Sequence, residues 1–180
     1  MVINMSETLI AELEKKQGEK RGERMVCFVC TGNTCRSPMA EAVFNQMSRI
    51  PEICSACDLE KLLGAKGIKA VSAGLAAFGE PISAHACQAL EEAGVPATPY
   101  NDYRAHVSVN IDVETVKKAE LVVGISSSHA MRLIAMFPQY ASKITCMPKD
   151  ISDPWGGSLE DYKECLEDII AGVTEIYEKL

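Results

Sequence analysis

The sequence predicts an α/β domain built on a parallel sheet, with helices covering both faces of the sheet. Short apolar runs alternate with amphipathic helical patterns along the chain, which is typical of parallel strands joined by right-handed crossovers. The first run, at residues 25–30, is continuously apolar, as expected of a strand buried on both faces. With 180 residues and 47% hydrophobic content, the chain suits one domain with a substantial core.

Each predicted element follows from local composition. Strands are predicted at 25–30, 68–72, 120–125 and 144–147, and helices at 37–47, 83–93, 127–137 and 158–180. Pro38 suits the first turn of its helix, where an amide hydrogen has no partner to lose, and Gly94 and Pro138 end the second and third helices. Residues 1–24 are predicted to be an N-terminal extension, helical or flexible, because residues 14–24 are almost wholly charged.

Composition excludes several classes of protein. The formal net charge of −7 argues against a general nucleic-acid binder, which needs a basic face, and against a membrane-surface protein. No apolar run approaches the roughly 20 residues that a membrane span requires, and residues 1–24 lack the pattern of a signal peptide. Eight cysteines at irregular spacing do not require a disulfide framework. We therefore expect a cytoplasmic protein with reduced thiols.

The segment between the first strand and the first helix has the composition of a phosphate-binding catalytic loop. This phosphate loop, residues 30–37, has the sequence CTGNTCRS. The planar guanidinium of Arg36 can hold two phosphate oxygens at once, and the same cationic surroundings favour a nucleophilic thiolate at Cys30. Gly32 is expected to supply the positive φ that such a curve often requires. The expected phosphate-binding residues are Thr31, Gly32, Asn33, Thr34, Cys35, Arg36 and Ser37.

Three motifs together resemble those of the low-molecular-weight protein tyrosine phosphatase family. Residues 29–41 resemble the family's signature, the run DPWGGS at 153–158 resembles its general-acid loop, and the run SAG at 72–74 matches a further motif. The resemblance covers residues 25–180, the predicted phosphatase domain. It implies a flavodoxin-like three-layer sandwich with four parallel strands in the order 2-1-3-4. It also implies a cysteinyl-phosphate mechanism with neither a metal nor an organic cofactor.

The resemblance assigns the catalytic roles. Cys30 attacks phosphorus, and Arg36 with the loop amides stabilises the phosphoryl oxygens. Asp153 protonates the leaving group and then takes a proton from the attacking water. The alternative for Asp153 is an ordinary turn residue before Pro154. The Ser37 hydroxyl is expected to donate to the nucleophilic sulfur.

Supporting residues are expected around the phosphate loop. Asn33 is predicted to lock the loop through side-chain hydrogen bonds. By resemblance, Ser72 holds Asn33, and His106 belongs to the same supporting group; an ordinary histidine at 106 is the alternative. His85 and His129 lie in no motif and are expected on helix surfaces.

Thr34 and Trp155 indicate the substrate. Threonine at 34, and the aromatic residue followed by two glycines at 155–157, resemble the bacterial protein arginine phosphatase subgroup. Tyrosine-selective members commonly carry a larger aliphatic residue in place of Thr34. An aliphatic side chain would leave a guanidino donor unpaired, at a cost of about 1–3 kcal/mol, whereas Trp155 suits any planar substrate. We therefore expect a protein arginine phosphatase, with a protein tyrosine phosphatase as the alternative.

The other cysteines carry two further interpretations. Cys27 and Cys30, with Cys54 and Cys57, form two C-x2-C pairs of the kind that bind zinc. Zinc would consume the nucleophile, so no metal site is expected. Cys35 is expected near Cys30, where it would trap the oxidised nucleophile as a disulfide; a role in loop packing alone is the alternative.

Two rival functions are disfavoured. Arsenate reduction uses a related fold but needs further redox cysteines near Cys87, where the sequence has none. A non-catalytic phosphate-binding module would not need Cys30, Arg36 and Asp153 together.

We expect phosphorylated proteins as partners, with neither nucleic acid nor membrane. We also expect a monomer, although the oligomeric state is left open. The segment 50–66 is longer than the usual connection in the family. An effect on substrate access or contacts is left open, and so is a local disulfide or a partial metal site at Cys54 and Cys57.

Overall fold

The structure, a computed structural model, describes residues 24–48 and 68–180. The predicted N-terminal extension lies outside the described residues apart from Arg24, and so does the segment 50–66 with Cys54 and Cys57. Within the described part of the chain, no helix combines the length and the apolar character that crossing a membrane would take.

Four parallel strands form one sheet. They are β1 (Arg24–Cys30), β2 (Ile68–Gly74), β3 (Leu121–Gly124) and β4 (Ile144–Cys146). Their order is β2-β1-β3-β4, which confirms the predicted order. Cys30 pairs with Gly74, and Val29 pairs with Gly124. The carboxyl ends of the first three strands therefore meet at one edge of the sheet, where parallel sheets bind their ligands.

Five α-helices accompany the sheet among the described residues. They are α1 (Arg36–Met47), α2 (Ala84–Glu92), α3 (Val113–Lys118), α4 (Ser127–Met136) and α5 (Leu159–Lys179). The four longer helices confirm the prediction to within about two residues at each end. The six-residue α3 was not predicted, because so short a helix shows little periodicity. Two 3₁₀ helices, Tyr103–Ala105 and Pro138–Lys143, were not predicted either.

Side chains of β1 alternate between two hydrophobic cores. Val26, Phe28 and Cys30 contribute to the core that α1, α2 and α5 cover, whereas Cys27 and Val29 belong to the core under α3 and α4. Helices thus cover both faces of the sheet, as predicted. The alternation also places the thiols of Cys27 and Cys30 on opposite faces, so these two cysteines cannot ligate one zinc ion together. Burial raises the pKa of the Cys27 thiol to about 12.

Candidate active site

The phosphate loop places a backbone N–H donor and a hydroxyl group against the sulfur of Cys30. Cys30 Sγ lies 3.0 Å from Ser37 Oγ and accepts from the backbone N–H of Asn33 at 3.3 Å. Ser37 Oγ in turn accepts from Asn33 Nδ2 at 3.0 Å. The Ser37 proton is therefore directed either to the sulfur or to the Ala73 carbonyl, 3.3 Å away. Such donors stabilise a sulfur that carries negative charge, both as nucleophile and as leaving group.

Asn33 holds the loop together from its centre. It adopts a φ of 58°, so the prediction that Gly32 supplies the positive φ was wrong; asparagine tolerates this region better than most residues. Asn33 Nδ2 donates to Ser72 Oγ at 2.9 Å, and Oδ1 accepts from the Val109 amide at 2.9 Å. His106 Nε2 lies 2.8 Å from the Asn33 carbonyl oxygen. The expected contacts of Ser72 and His106 with the loop are both present.

Arg36 joins the phosphate loop to residues 150–157, here called the acid segment. The side chain is buried, with the residue 7% exposed. Nη1 donates to the Ile151 carbonyl at 3.3 Å, and Nη2 pairs with Asp153 Oδ2 at 2.5 Å. Asp153 is half-exposed, and its Oδ1 accepts from the Trp155 amide at 3.2 Å. The structure therefore brings the expected phosphate clamp and the expected general acid into direct contact.

The two residues expected to select the substrate belong to the two segments that the contact between Arg36 and Asp153 joins. Thr34 is half-buried in the phosphate loop, with Oγ1 3.5 Å from Cys35 Sγ. Trp155 belongs to the acid segment and is 77% exposed. The ring of Trp155 is thus accessible for stacking, and the Thr34 hydroxyl keeps hydrogen-bonding capacity beyond its weak contact with sulfur.

Cys35 is buried beneath the loop. Its Sγ lies 3.3 Å from Tyr162 Oη and 3.6 Å from Ser83 Oγ. Burial, and then the contact with Cys35, raise the pKa of the Tyr162 hydroxyl to about 12. These contacts fix the orientation of the thiol, and the expected disulfide with Cys30 stays a prediction.

His129 does not lie on a helix surface, so that prediction was wrong. The residue is 5% exposed, with Nε2 3.0 Å from Thr31 Oγ1 and Nδ1 2.7 Å from Ser126 Oγ. Burial and the nearby positive charge of Arg36 lower its pKa to about 4. His85 is exposed, as predicted.

Comparison with known proteins decides the family. The model of the low molecular weight phosphotyrosine protein phosphatase family matches residues 25–180. The chain belongs to this family. A protein-arginine-phosphatase of Geobacillus stearothermophilus is 31% identical over 163 residues, which cover 86% of this chain and 95% of that protein.

Solved structures agree with this assignment. A low molecular weight protein tyrosine phosphatase from T. tengcongensis is 37% identical and matches with a TM-score of 0.72, covering 87% of this chain and 99% of that one. A YwlE arginine phosphatase, a cysteine-to-serine mutant with a phosphorylated active-site serine, is 28% identical with a TM-score of 0.69 and covers 87% of this chain and 95% of that one. The predicted family, the flavodoxin-like fold and the class of cysteine-dependent protein phosphatase are thereby confirmed.

The geometry of this low-molecular-weight phosphatase suits phosphoryl transfer. Cys30 ends β1, the phosphate loop follows, and α1 begins at Arg36. The loop amides, the helix N-terminus and the guanidinium therefore supply positive charge at the same point in the fold. Across the described residues, no cluster of three or more His, Cys, Asp or Glu side chains could hold a metal ion.

Glu41, which the sequence did not single out, supports the phosphate loop through Ser72. Ser72 Oγ donates to Glu41 Oε2 at 2.6 Å, which leaves the Ser72 oxygen to accept from Asn33. Burial raises the pKa of the Glu41 carboxyl. The available signal was a glutamate placed among apolar residues of α1, one turn after Ser37.

Phe78, on the segment 75–83, is a second residue that the sequence did not single out. Both ends of this segment are tied to the phosphate loop: the amides of Leu75 and Ala76 donate to the carbonyls at 30 and 31 at 2.9 Å, and the Ser83 amide donates to the carbonyl at 34 at 2.8 Å. Phe78 lies between these anchors and is 84% exposed. An exposed aromatic ring on a segment bound to the loop is available to contact a substrate.

Proposed function

We propose that this phosphatase hydrolyses phosphoarginine in proteins. The observation that carries the proposal is Thr34, a half-buried residue whose hydroxyl belongs to the phosphate loop, four residues from the nucleophile. A guanidino group carries N–H donors beside the phosphoryl group, and the Thr34 oxygen is an acceptor for one of them. An aliphatic side chain at this position would instead leave that donor unpaired.

The proposed reaction has two steps. The Cys30 thiolate attacks phosphorus, and the P–N bond breaks as Asp153 gives its proton to the departing guanidino nitrogen. Asp153 then takes a proton from water, whose oxygen attacks phosphorus and releases phosphate from the Cys30 sulfur. Arg36 and the loop amides stabilise the phosphoryl oxygens in both steps. The contact between Asp153 and Arg36 supports this role because it holds the carboxyl beside the phosphate clamp.

Similar proteins support the proposal and also indicate the alternative substrate. The Geobacillus relative is described as an arginine phosphatase, whereas the 37% identical structure is that of a tyrosine phosphatase. The exposed rings of Trp155 and Phe78 favour a planar group and suit a phosphotyrosine ring as well. Phosphotyrosine is therefore the second candidate, and Thr34 is the residue that separates the two.

Replacing Thr34 by isoleucine is expected to lower the ratio of kcat/KM for phosphoarginine to that for phosphotyrosine peptides by about 5- to 150-fold. This factor corresponds to about 1–3 kcal/mol for a buried donor without a partner. The measurement is steady-state kinetics on matched peptides. Thr34→Val, which replaces the hydroxyl with a methyl group of similar size, should shift the ratio in the same direction, and Thr34→Ser should keep the wild-type preference. Equal preference in the wild type and in Thr34→Ile would contradict the role of Thr34.

Cys35 is proposed to protect the nucleophile against oxidation. Peroxide converts the Cys30 thiolate to a sulfenic acid, the Cys35 thiol attacks that sulfur, and water leaves as the disulfide forms. After peroxide treatment and reduction, we expect Cys35→Ala to regain several-fold less activity than the wild type. Cys35→Ser keeps a polar contact for Tyr162 and should behave as Cys35→Ala does, whereas Cys87→Ala should recover normally. Full recovery of Cys35→Ala would mean that this protection does not operate.

We further propose that the protein acts in the cytoplasm as a monomer, with residues 25–180 as the phosphatase domain and residues 1–24 as an extension. The free thiols of all six cysteines in the described part of the chain support a reducing compartment. Light scattering on the full chain measures the oligomeric state directly.

A further inference from the structure

The first turn of α4, with its preceding cap Ser126, contacts both catalytic segments. His129 meets the phosphate loop through Thr31, at 3.0 Å from Nε2 to Oγ1. Two residues earlier, Ser127 binds Asp150 of the acid segment twice, through its amide at 2.7 Å and its hydroxyl at 2.8 Å. One helical turn thus joins the residue after the nucleophile to the start of the segment that carries the expected general acid.

The imidazole of His129 is fixed on both sides. Nδ1 lies 2.7 Å from Ser126 Oγ, and Nε2 lies against Thr31. A rotation of the ring would therefore break both hydrogen bonds. The close approach of α4 to β3 depends on Gly124, because a Cβ there would lie 2.6 Å from the Ala130 nitrogen and 3.0 Å from His129 Cβ. The absence of a side chain at position 124 therefore lets the first turn of α4, and His129 with it, lie against the end of β3.

The charge state of His129 suits this position. Burial, and then the positive charges of Arg36 and Arg132, lower the pKa of His129 to about 4. The negative charges of Asp150 and Asp153 act in the opposite direction. The ring is therefore neutral near pH 7. A neutral ring can hold Thr31 without adding a second cation that would compete with Arg36 for the phosphoryl group.

We propose that His129 is a positioning residue, which holds the start of the phosphate loop through Thr31 while the same helical turn holds the acid segment through Asp150. The proposal rests on phosphoryl transfer at Cys30, as in the proposed function, but not on the choice of substrate. Its consequence is that His129 acts on the transition state, where the placement of the loop amides matters most. His129 does not contact the reacting atoms, so it is not itself a catalytic residue.

A matched pair of substitutions tests this role. Glutamine places its amide near the position of Nε2 and can still reach Thr31, whereas asparagine reaches only to the position of Nδ1 and Ser126. We expect His129→Asn to lower kcat for p-nitrophenyl phosphate about tenfold, with a smaller change in KM. His129→Gln should retain kcat to within about threefold. Melting temperatures and the size of the p-nitrophenol burst report folding and the fraction of active enzyme.

Thr31 supplies the second half of the test, because it is exposed and its replacement does not open a cavity. Thr31→Val should lower kcat by about the same factor as His129→Asn, and the double variant should show little further loss. The proposal is overturned if His129→Asn and Thr31→Val keep wild-type kcat. It is overturned equally if their losses multiply in the double variant, or if His129→Gln loses as much as His129→Asn.

The substrate panel separates this proposal from the proposed function. Since His129 acts on the loop that holds the phosphoryl group, its variants should lower turnover of phosphoarginine, phosphotyrosine and p-nitrophenyl phosphate by a common factor. A wild-type preference for phosphotyrosine would contradict the proposed substrate and leave the common factor intact. A loss confined to one substrate would instead contradict the positioning role.

Discussion

Replacing Cys30 by serine is expected to lower kcat for p-nitrophenyl phosphate by about 10⁴-fold or more. A hydroxyl is a weak nucleophile unless a neighbouring base takes its proton. The neighbours of Cys30 Sγ are the Asn33 amide, which donates, and the Ser37 hydroxyl. Neither is a base, so a site that stabilises the Cys30 thiolate cannot activate a serine hydroxyl by removing its proton.

The measurement is the steady-state rate of p-nitrophenol release from acid to mildly alkaline pH. Cys87→Ser is the matched control, because Cys87 lies half-buried on α2 with Sγ 3.7 Å from the Glu91 carboxylate. Its rate should stay within about twofold of wild type. A Cys30→Ser protein that turns over at a rate near wild type would refute the assignment of the nucleophile. A wild-type protein inactive at every pH would favour a phosphate-binding module instead.

The elements with strong local signals were predictable from the sequence. The continuous apolar run of β1 and Pro38 at the start of α1 located the strand, the loop and the helix together. The motifs then implied the strand order by resemblance. The helix α3 was missed because its six residues depend on a cap, the Asp112 side chain that accepts from the Thr115 amide. Such a short helix leaves almost no periodic pattern to read.

The contacts around the loop were less predictable, because they join distant parts of the chain. Glycine is the usual residue at a positive φ, so the sequence indicates Gly32 for that position. The conformation of Asn33 is instead held by partners such as Ser72 and Val109. His129 follows Thr31 by 98 residues, and no local pattern distinguishes a buried histidine of α4 from an exposed one. Both errors concern residues whose surroundings are decided by tertiary packing.

Replacing Arg36 by lysine is expected to lower kcat/KM for p-nitrophenyl phosphate by about 10²- to 10³-fold, although the charge is kept. The planar guanidinium donates to the Ile151 carbonyl and to Asp153 through different nitrogens. A lysine ammonium is a point charge and cannot reproduce this fork. The substitution should therefore weaken the phosphate clamp and also loosen the acid segment, so that kcat falls and the inhibition constant of inorganic phosphate rises.

Arg104→Lys is the matched control for this change. Arg104 makes a two-point contact with Glu91 on the surface, at 2.8 Å from Nε and 2.7 Å from Nη2, and exposed ion pairs contribute little. Its activity and phosphate inhibition should match the wild type. An Arg36→Lys enzyme that keeps both values would show that positive charge alone holds the phosphoryl group. If only phosphate binding weakens while kcat stays unchanged, the contact with Asp153 has no part in placing the general acid.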